Sequence, residues 1–213
     1  MPMPGKFTAD DFVDAAIRLI LEGGPGAATA SAVAQVVGAP SGSVYHRFPT
    51  RRDLLAAAWL TPVRRFQEDF LPLLAADGDP VAIGIAAASH VLRWSADHHE
   101  AAALLARYSR SDFVSADCSA AVLTEADALD RRAAEALDRF LARFPAADRD
   151  RVLLAVIDAP LALVRRSFAA GGPDDDAVEL AADVARRLLA SGSARATSPG
   201  RRSSSQRTSR RPG

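Results

Sequence analysis

Cysteine is almost missing from this chain of 213 residues: Cys118 stands alone. No intrachain disulfide can form, and a reducing compartment is expected. The start, MPMPGKFTADD, lacks the apolar core of a signal peptide. Long hydrophobic runs are missing too, since His90 and Arg93 interrupt one apolar stretch and Asp158 another, which argues against a membrane span. A soluble, cytoplasmic protein is expected. β-Branched runs are short and no segment alternates with period two, which disfavours a sheet. There is no glycine-rich phosphate loop after a strand, no nucleophile elbow and no metal-binding helix motif, so the sequence offers no support for an enzyme and calls for no cofactor. No internal repeat is visible.

What remains is alanine, leucine and arginine in helical patterns. Thr8 ahead of Asp10 and Asp11 caps a first helix whose apolar positions Phe12, Ala16 and Leu19/Ile20 share a face, and GGPG ends it at residues 23–26. Thr29 is placed to cap a second helix with Val33, Ala34, Val36 and Val37. Thr50 is placed to cap a long helix carrying Leu54, Leu55, Trp59, Phe66 and Phe70. Pro62 should kink or break that helix. Further helices are expected over about 81–96, 100–108, 119–144, 148–170 and 174–190. The formal charge of zero is unevenly spread: six arginines and no acid follow Ser191, which leaves the preceding body acidic. This last segment holds no aliphatic side chain larger than alanine and is expected to be disordered.

The stretch GAPSGSVYHRF, residues 38–48, is too short and too small-residued for a core helix. Ala34, Gly38 and Val44 have the separations that two short crossed helices need: a small residue at the crossing, a glycine in the turn and an aliphatic locking the second helix. The second helix would be 41–47, burying Val44 and Phe48. Ser41, Ser43, Tyr45 and His46 would lie on its open side, all hydrogen-bonding groups suited to phosphates or base edges. Gly42 would give a bare backbone for close approach. A plain helical hairpin with a glycine turn fits the spacing as well.

From Thr8 to Leu60 the sequence resembles the N-terminal domain of the TetR family of transcriptional repressors. The resemblance rests on Thr29, Val33-Ala34, Gly38, Ser41-Gly42-Ser43-Val44, Tyr45-His46-Arg47-Phe48 and Thr50-Arg51, in order and with fixed gaps. It implies that Thr29 caps a helix facing a phosphate. It likewise implies that Ser41 and Ser43 face the groove, that Tyr45 and His46 hold the backbone, and that Arg51 contacts a phosphate in place of the family's lysine. Two departures are that Pro40 replaces a common capping serine and that Ser41 replaces a common lysine. Residues 1–55 carry as many acids as bases, which leaves tight nonspecific DNA binding to the arginine tail.

The expected fold class is all-α: a three-helix helix-turn-helix DNA-binding domain at 1–51, a helical ligand-binding and dimerisation body at 52–190, and a disordered tail at 191–213. The expected function is a sequence-specific repressor relieved by a small, largely apolar ligand. The alternative is a helical adaptor that keeps the scaffold without reading DNA. A homodimer would form through two stripes on the last two helices, Leu153, Ile157, Leu161, Val164 and Phe168 with Val178, Ala181, Ala185 and Leu188, and would read a pseudo-palindromic operator on double-stranded DNA. The ligand would meet Trp59, Phe66, Trp94 and Tyr108 as walls, and His90, Arg93, Arg107 and Asp158 as polar groups. Asp158, within LLAVIDAPLALV, would either face that ligand or pair with Arg93 or Arg107 across the core. His98-His99-Glu100 invites a metal reading with Cys118, but adjacent histidines diverge on a helix and a solvated helix start is favoured.

Overall fold

Each early helix begins where a short polar side chain can satisfy its free N–H groups. The computed structural model describes residues 7–193. In α1 (Ala9–Gly23), the Thr8 hydroxyl accepts from the Asp11 N–H, and the Asp11 carboxylate accepts in return from the Thr8 N–H at 2.7 Å. Thr29 caps α2 (Ala30–Val37) by accepting from Ala32 N–H at 3.1 Å. Gly38 closes α2 in the left-handed region (φ 73°, ψ 30°), with the Ala39 N–H reaching back to the Ala34 carbonyl at 2.9 Å. A side chain at this φ would be strained, so the turn requires glycine. Helix α3 (Ser41–Arg47) starts after Pro40, which serves as N-cap with no side-chain cap bond.

Helix α4 (Arg51–Ala75) runs unbroken through Pro62 and Pro72. The break expected at Pro62 does not occur; both faces of this helix are held by packing, which outweighs one lost hydrogen bond. Its first half sits in a core with α1, α2 and α3, built on Phe12, Ile17, Ile20, Val33, Val44 and Leu54. Its second half supplies Phe70, Leu71 and Leu74 to another core with Leu92, Phe140, Val152 and Val156. Packing thus makes α4 a member of both cores.

The body continues with α5 (Pro80–Asp97), α6 (His99–Arg107) and α7 (Ala120–Leu141). Next come α8 (Arg149–Leu153), a π-helical turn (Leu154–Asp158), α9 (Ala159–Phe168) and α10 (Asp175–Ser193). The π turn answers Pro160: a widened turn absorbs the missing N–H and the clash with the preceding carbonyl. Gly84 in α5 lets α10 approach, since a Cβ there would meet Leu189 Cδ1 at 2.6 Å and Val156 Cγ1 at 3.3 Å. No strand occurs among the described residues. The arginine tail lies outside them beyond residue 193.

Two expectations about the last helices change. Val178, Ala181 and Ala185 of α10 are buried inside the protomer, not on an open stripe. Asp158 is exposed and pairs with neither Arg93 nor Arg107. The hydrophobic residues that α10 and its neighbours leave open are Leu154, Leu161 and Leu180. Period alone cannot tell which of two apolar faces a neighbouring helix of the same chain will take.

Candidate nucleic-acid interface and ligand cavity

Seven residues cannot hold a helix in water by themselves, so α3 depends on what lies beneath it. Val44 is buried against the head core and Phe48 closes its end. Arg47 braces it from the side: its guanidinium donates to the Phe7 carbonyl at 2.6 Å and the Ser43 carbonyl at 3.2 Å, and lies 5.2 Å above the Phe12 ring. With Val44 inward, Ser41, Gly42, Tyr45 and His46 lie exposed on the opposite face and Ser43 is half-buried beside them. Tyr45, at 56% exposure, is the most open of the large hydrophobic side chains. Thr29 is exposed at the start of α2.

Arg51, expected to contact a phosphate, is engaged within the protein. Its guanidinium donates to the carbonyls of Pro25 at 2.6 Å, Gly26 at 3.3 Å and Ala28 at 3.3 Å, fastening the loop that delivers Thr29. Arg52 is likewise drawn away, to Asp117 at 3.2 Å. The donors nearest the reading helix are thus largely committed within the protein.

Asp53 ties head to body. It is buried, and accepts from the Thr50 hydroxyl at 2.9 Å and from the Ser119 N–H, at the start of α7, at 3.0 Å. Burial alone would raise its pKa; the bonds from Ser119 and Thr50 outweigh that and hold it below the usual carboxylate value. Arg65 of α4 adds surface ion pairs to Asp10 at 2.9 Å and Asp14 at 3.3 Å on α1.

In the body, a partly open cavity of about 70 Å³ is lined by Phe66 of α4, Val91, Trp94 and Ser95 of α5, Ala102, Leu105 and Ala106 of α6, and Leu161, Val164 and Arg165 of α9. Phe66 and Trp94 are where the sequence placed them. Their rings meet edge-on at 5.2 Å, and Phe66 also stacks on Phe70 at 4.9 Å. His90 stands behind that wall, 6.2 Å from both phenylalanine rings, and does not line the cavity. The indole N–H of Trp94 is buried without a partner, a donor left over for a guest or a water.

The other expected ligand contacts fall elsewhere. Trp59 stacks on Phe113 at 5.6 Å and Tyr108 meets Phe113 edge-on at 5.4 Å, both against the head core. Arg93 is exposed, and Asp158 lies on the open face of the π turn. Arg107 belongs to an adjoining vestibule of about 420 Å³ with Leu21, His99, Ala103, Ala106, Arg165 and Phe168. Arg165, Leu161 and Leu105 also line the cavity and were not singled out from the sequence; only the pairing of α6 with α9 brings them together. His98 stacks on Trp94 at 4.6 Å, whereas His99 meets Phe168 edge-on at 5.0 Å, so the two rings diverge. Cys118 is buried, its thiol facing the Phe113 carbonyl.

His90 has a measurable consequence. Burial is the main cause that holds its pKa below the ordinary histidine value. The unfolded chain therefore takes up this proton near pH 6.5 and the folded protein only below it. His90's contribution to stability is complete above that pH and is lost progressively as pH falls through the window between the two values. Urea midpoints at pH 7.5 and 5.5 should drop more for the parent than for His90→Leu; equal drops would show that His90 does not titrate in this way.

The chain thus joins a helix-turn-helix head to an all-helical body that holds a cavity. Residues 12–58 match the family model described as bacterial regulatory proteins, tetR family. Similar solved structures extend the likeness over the body. The fatty acid degradation regulator FadR from Bacillus halodurans is 17% identical, with a TM-score of 0.65 over 85% of this chain and 98% of its own. FadR from Bacillus subtilis, solved with stearoyl-CoA, is 17% identical, with a TM-score of 0.62 over 85% and 98%. A TetR-like regulator from Rhodococcus sp. RHA1 is 20% identical, with a TM-score of 0.62 over 89% and 99%. At these identities the likeness is one of fold. No curated protein matches the sequence. Among the described residues no helix is long and apolar enough to cross a membrane.

Proposed function

We propose that the chain is a homodimeric repressor in the cytoplasm that reads a pseudo-palindromic operator with α3 and releases it when a largely apolar small molecule enters the body cavity. The observation that carries the reading is the division of α3 into a buried side, Val44, and an open side of Gly42 and hydrogen-bonding residues, Ser41, Ser43, Tyr45 and His46. Thr29 stands at the start of the crossing helix, where a helix N-terminus favours a phosphate. Arg51 acts in this reading by fixing the loop before Thr29. The cavity, walled by Phe66 and Trp94, supports an apolar guest, and the stearoyl-CoA held by the Bacillus subtilis FadR makes acyl compounds the first to try. The cavity lies below the range of about 300–1,000 Å³ usual for bound small molecules, so Phe66 and Trp94 must move apart to admit one.

The test is a shift assay against genomic DNA followed by two variants on the recovered operator. Tyr45→Ala should weaken binding on every sequence, since a phosphate contact positions without specifying. Ser43→Ala should instead relax preference at one or two base pairs, by about 1–3 kcal/mol. With the arginine tail removed, the salt dependence should be shallow, because Arg47, Arg51 and Arg52 spend donors inside the protein. If both variants bind as the parent does, α3 is not the reading helix. If the parent gives no saturable, competitor-resistant complex, the adaptor reading takes its place.

A further inference from the structure

The cavity and the vestibule share two lining residues, Ala106 and Arg165, and so lie side by side. The two ends differ in chemistry. The inner end is narrower and apolar, with Leu105, Val91 and Val164 beside Phe66 and Trp94. The outer end is open and cationic: Arg107 and Arg165 line it together with His99, and no acidic side chain does so among the described residues. Arg165 is exposed and makes no ion pair or hydrogen bond within the described residues, so its charge is uncommitted.

Arg107 is committed, and to an informative partner. Its guanidinium donates at 3.0 Å to the carbonyl of Leu21, in the last turn of α1. That bond joins the vestibule to the helix on which the DNA-binding head is built. A carbonyl is a weaker partner for a guanidinium than a carboxylate or phosphate, whose charge-assisted, two-pronged bonds are about twice as strong.

We infer that Arg107 and Arg165 form an anion site for the head group of an amphiphilic effector whose tail enters the Phe66–Trp94 cavity, and that the head group draws Arg107 away from Leu21 and so reports occupancy to α1. The inference rests on the ligand-responsive reading above and adds the chemistry of the ligand's polar end. Two sources offer that chemistry, a free fatty acid through its carboxylate and an acyl thioester of coenzyme A through its phosphates. The vestibule is roomy enough for the larger head, and two guanidiniums with a histidine suit more than one negative charge.

Titration of the full-length protein with stearoyl-CoA, stearate and octadecanol separates the possibilities. Arg165→Gln should cost the charged effector about tenfold to a hundredfold in affinity, the worth of a charge-assisted bond. It should leave the melting temperature unchanged and cost octadecanol far less than the charged compounds. Arg165→Lys should keep part of the affinity, as the point charge remains. A loss confined to stearoyl-CoA identifies the phosphates as the head; an equal loss for stearate identifies the carboxylate. In the parent, the effector should change operator affinity by about five- to 150-fold, and in Arg107→Gln that ratio should fall toward one. If octadecanol binds and Arg165→Gln leaves both charged compounds bound as tightly as before, the anion site is refuted and the apolar cavity stands. If Arg107→Gln keeps the full ratio, the bond to Leu21 is not the reporter. If none of the three compounds binds the parent, the cavity reading fails and the anion site with it.

Discussion

Phe12→Ala is expected to remove about 3–5 kcal/mol of folding stability and, with it, specific DNA binding at growth temperature. Phe12 is fully buried in α1 and is among the largest side chains of the head core. Truncating it leaves a cavity among Ala-rich neighbours that can collapse only in part. Against a total stability of about 5–15 kcal/mol for a typical domain, that is a large share. Its second role concerns α3. The Arg47 guanidinium rests 5.2 Å over this ring while holding the Phe7 and Ser43 carbonyls. Without the ring, α3 loses the surface that orients its brace, so DNA affinity should suffer even where the fold survives. Urea midpoints report the first effect. Operator titration at a temperature where far-UV dichroism remains that of the parent reports the second. Phe12→Leu, which keeps most of the volume, should lose less stability but still weaken DNA binding through the missing ring. A parent-like midpoint for Phe12→Ala would place the head core elsewhere.

The second large effect is expected at the open face of the last helices. Leu154, Leu161 and Leu180 are 44%, 40% and 39% exposed, one on the π turn, one on α9 and one on α10. On the proposed homodimer these residues meet their copies across a two-fold axis, as helices pair in four-helix bundles. The pair Leu154→Asp and Leu180→Asp should give a folded monomer, since neither side chain belongs to the protomer's core. Each head would then bind one half-site alone. Losing the second, tethered contact should cost about 10²–10⁴ in operator affinity without altering preference within a half-site. Sedimentation and operator titration check the two halves of this expectation. A dimer that persists in the double variant moves the interface elsewhere; a parent that is monomeric at micromolar concentration removes the dimer altogether. Leu161 is better left alone in this test, because it also lines the cavity.

The wall of the body cavity was half legible. Phe66 and Trp94 could be named because bulky aromatics in the middle of helices have to be buried somewhere. Trp59 and Tyr108 met the same criterion and went to the head core, where Phe113 receives both. Composition ranks side chains by what they must hide, not by which neighbour hides them. Arg165 carried no local signal at all: it is one of two adjacent arginines on α9, and only the approach of α6 gives it a role.

Helix starts, the turn at Gly38 and the burial of Val44 were determined by the sequence itself. Each depends on interactions within a few residues: a hydroxyl accepting from an N–H three positions on, a left-handed φ open to glycine, an aliphatic two turns from a small residue. Other outcomes were decided by tertiary structure, because they depend on groups far apart in the chain. Pro62 stays within a continuous helix because packing on both cores exceeds the cost of one missing bond. Asp158 comes out exposed because the π turn before Pro160 carries it to the open face. Arg51 turns to the carbonyls of Pro25, Gly26 and Ala28 because the first loop folds back within its reach. The faces of α9 and α10 that remain open are those that α5 and α6 did not take. Periodicity fixes that a helix has an apolar face; the balance of all its neighbours fixes what that face meets.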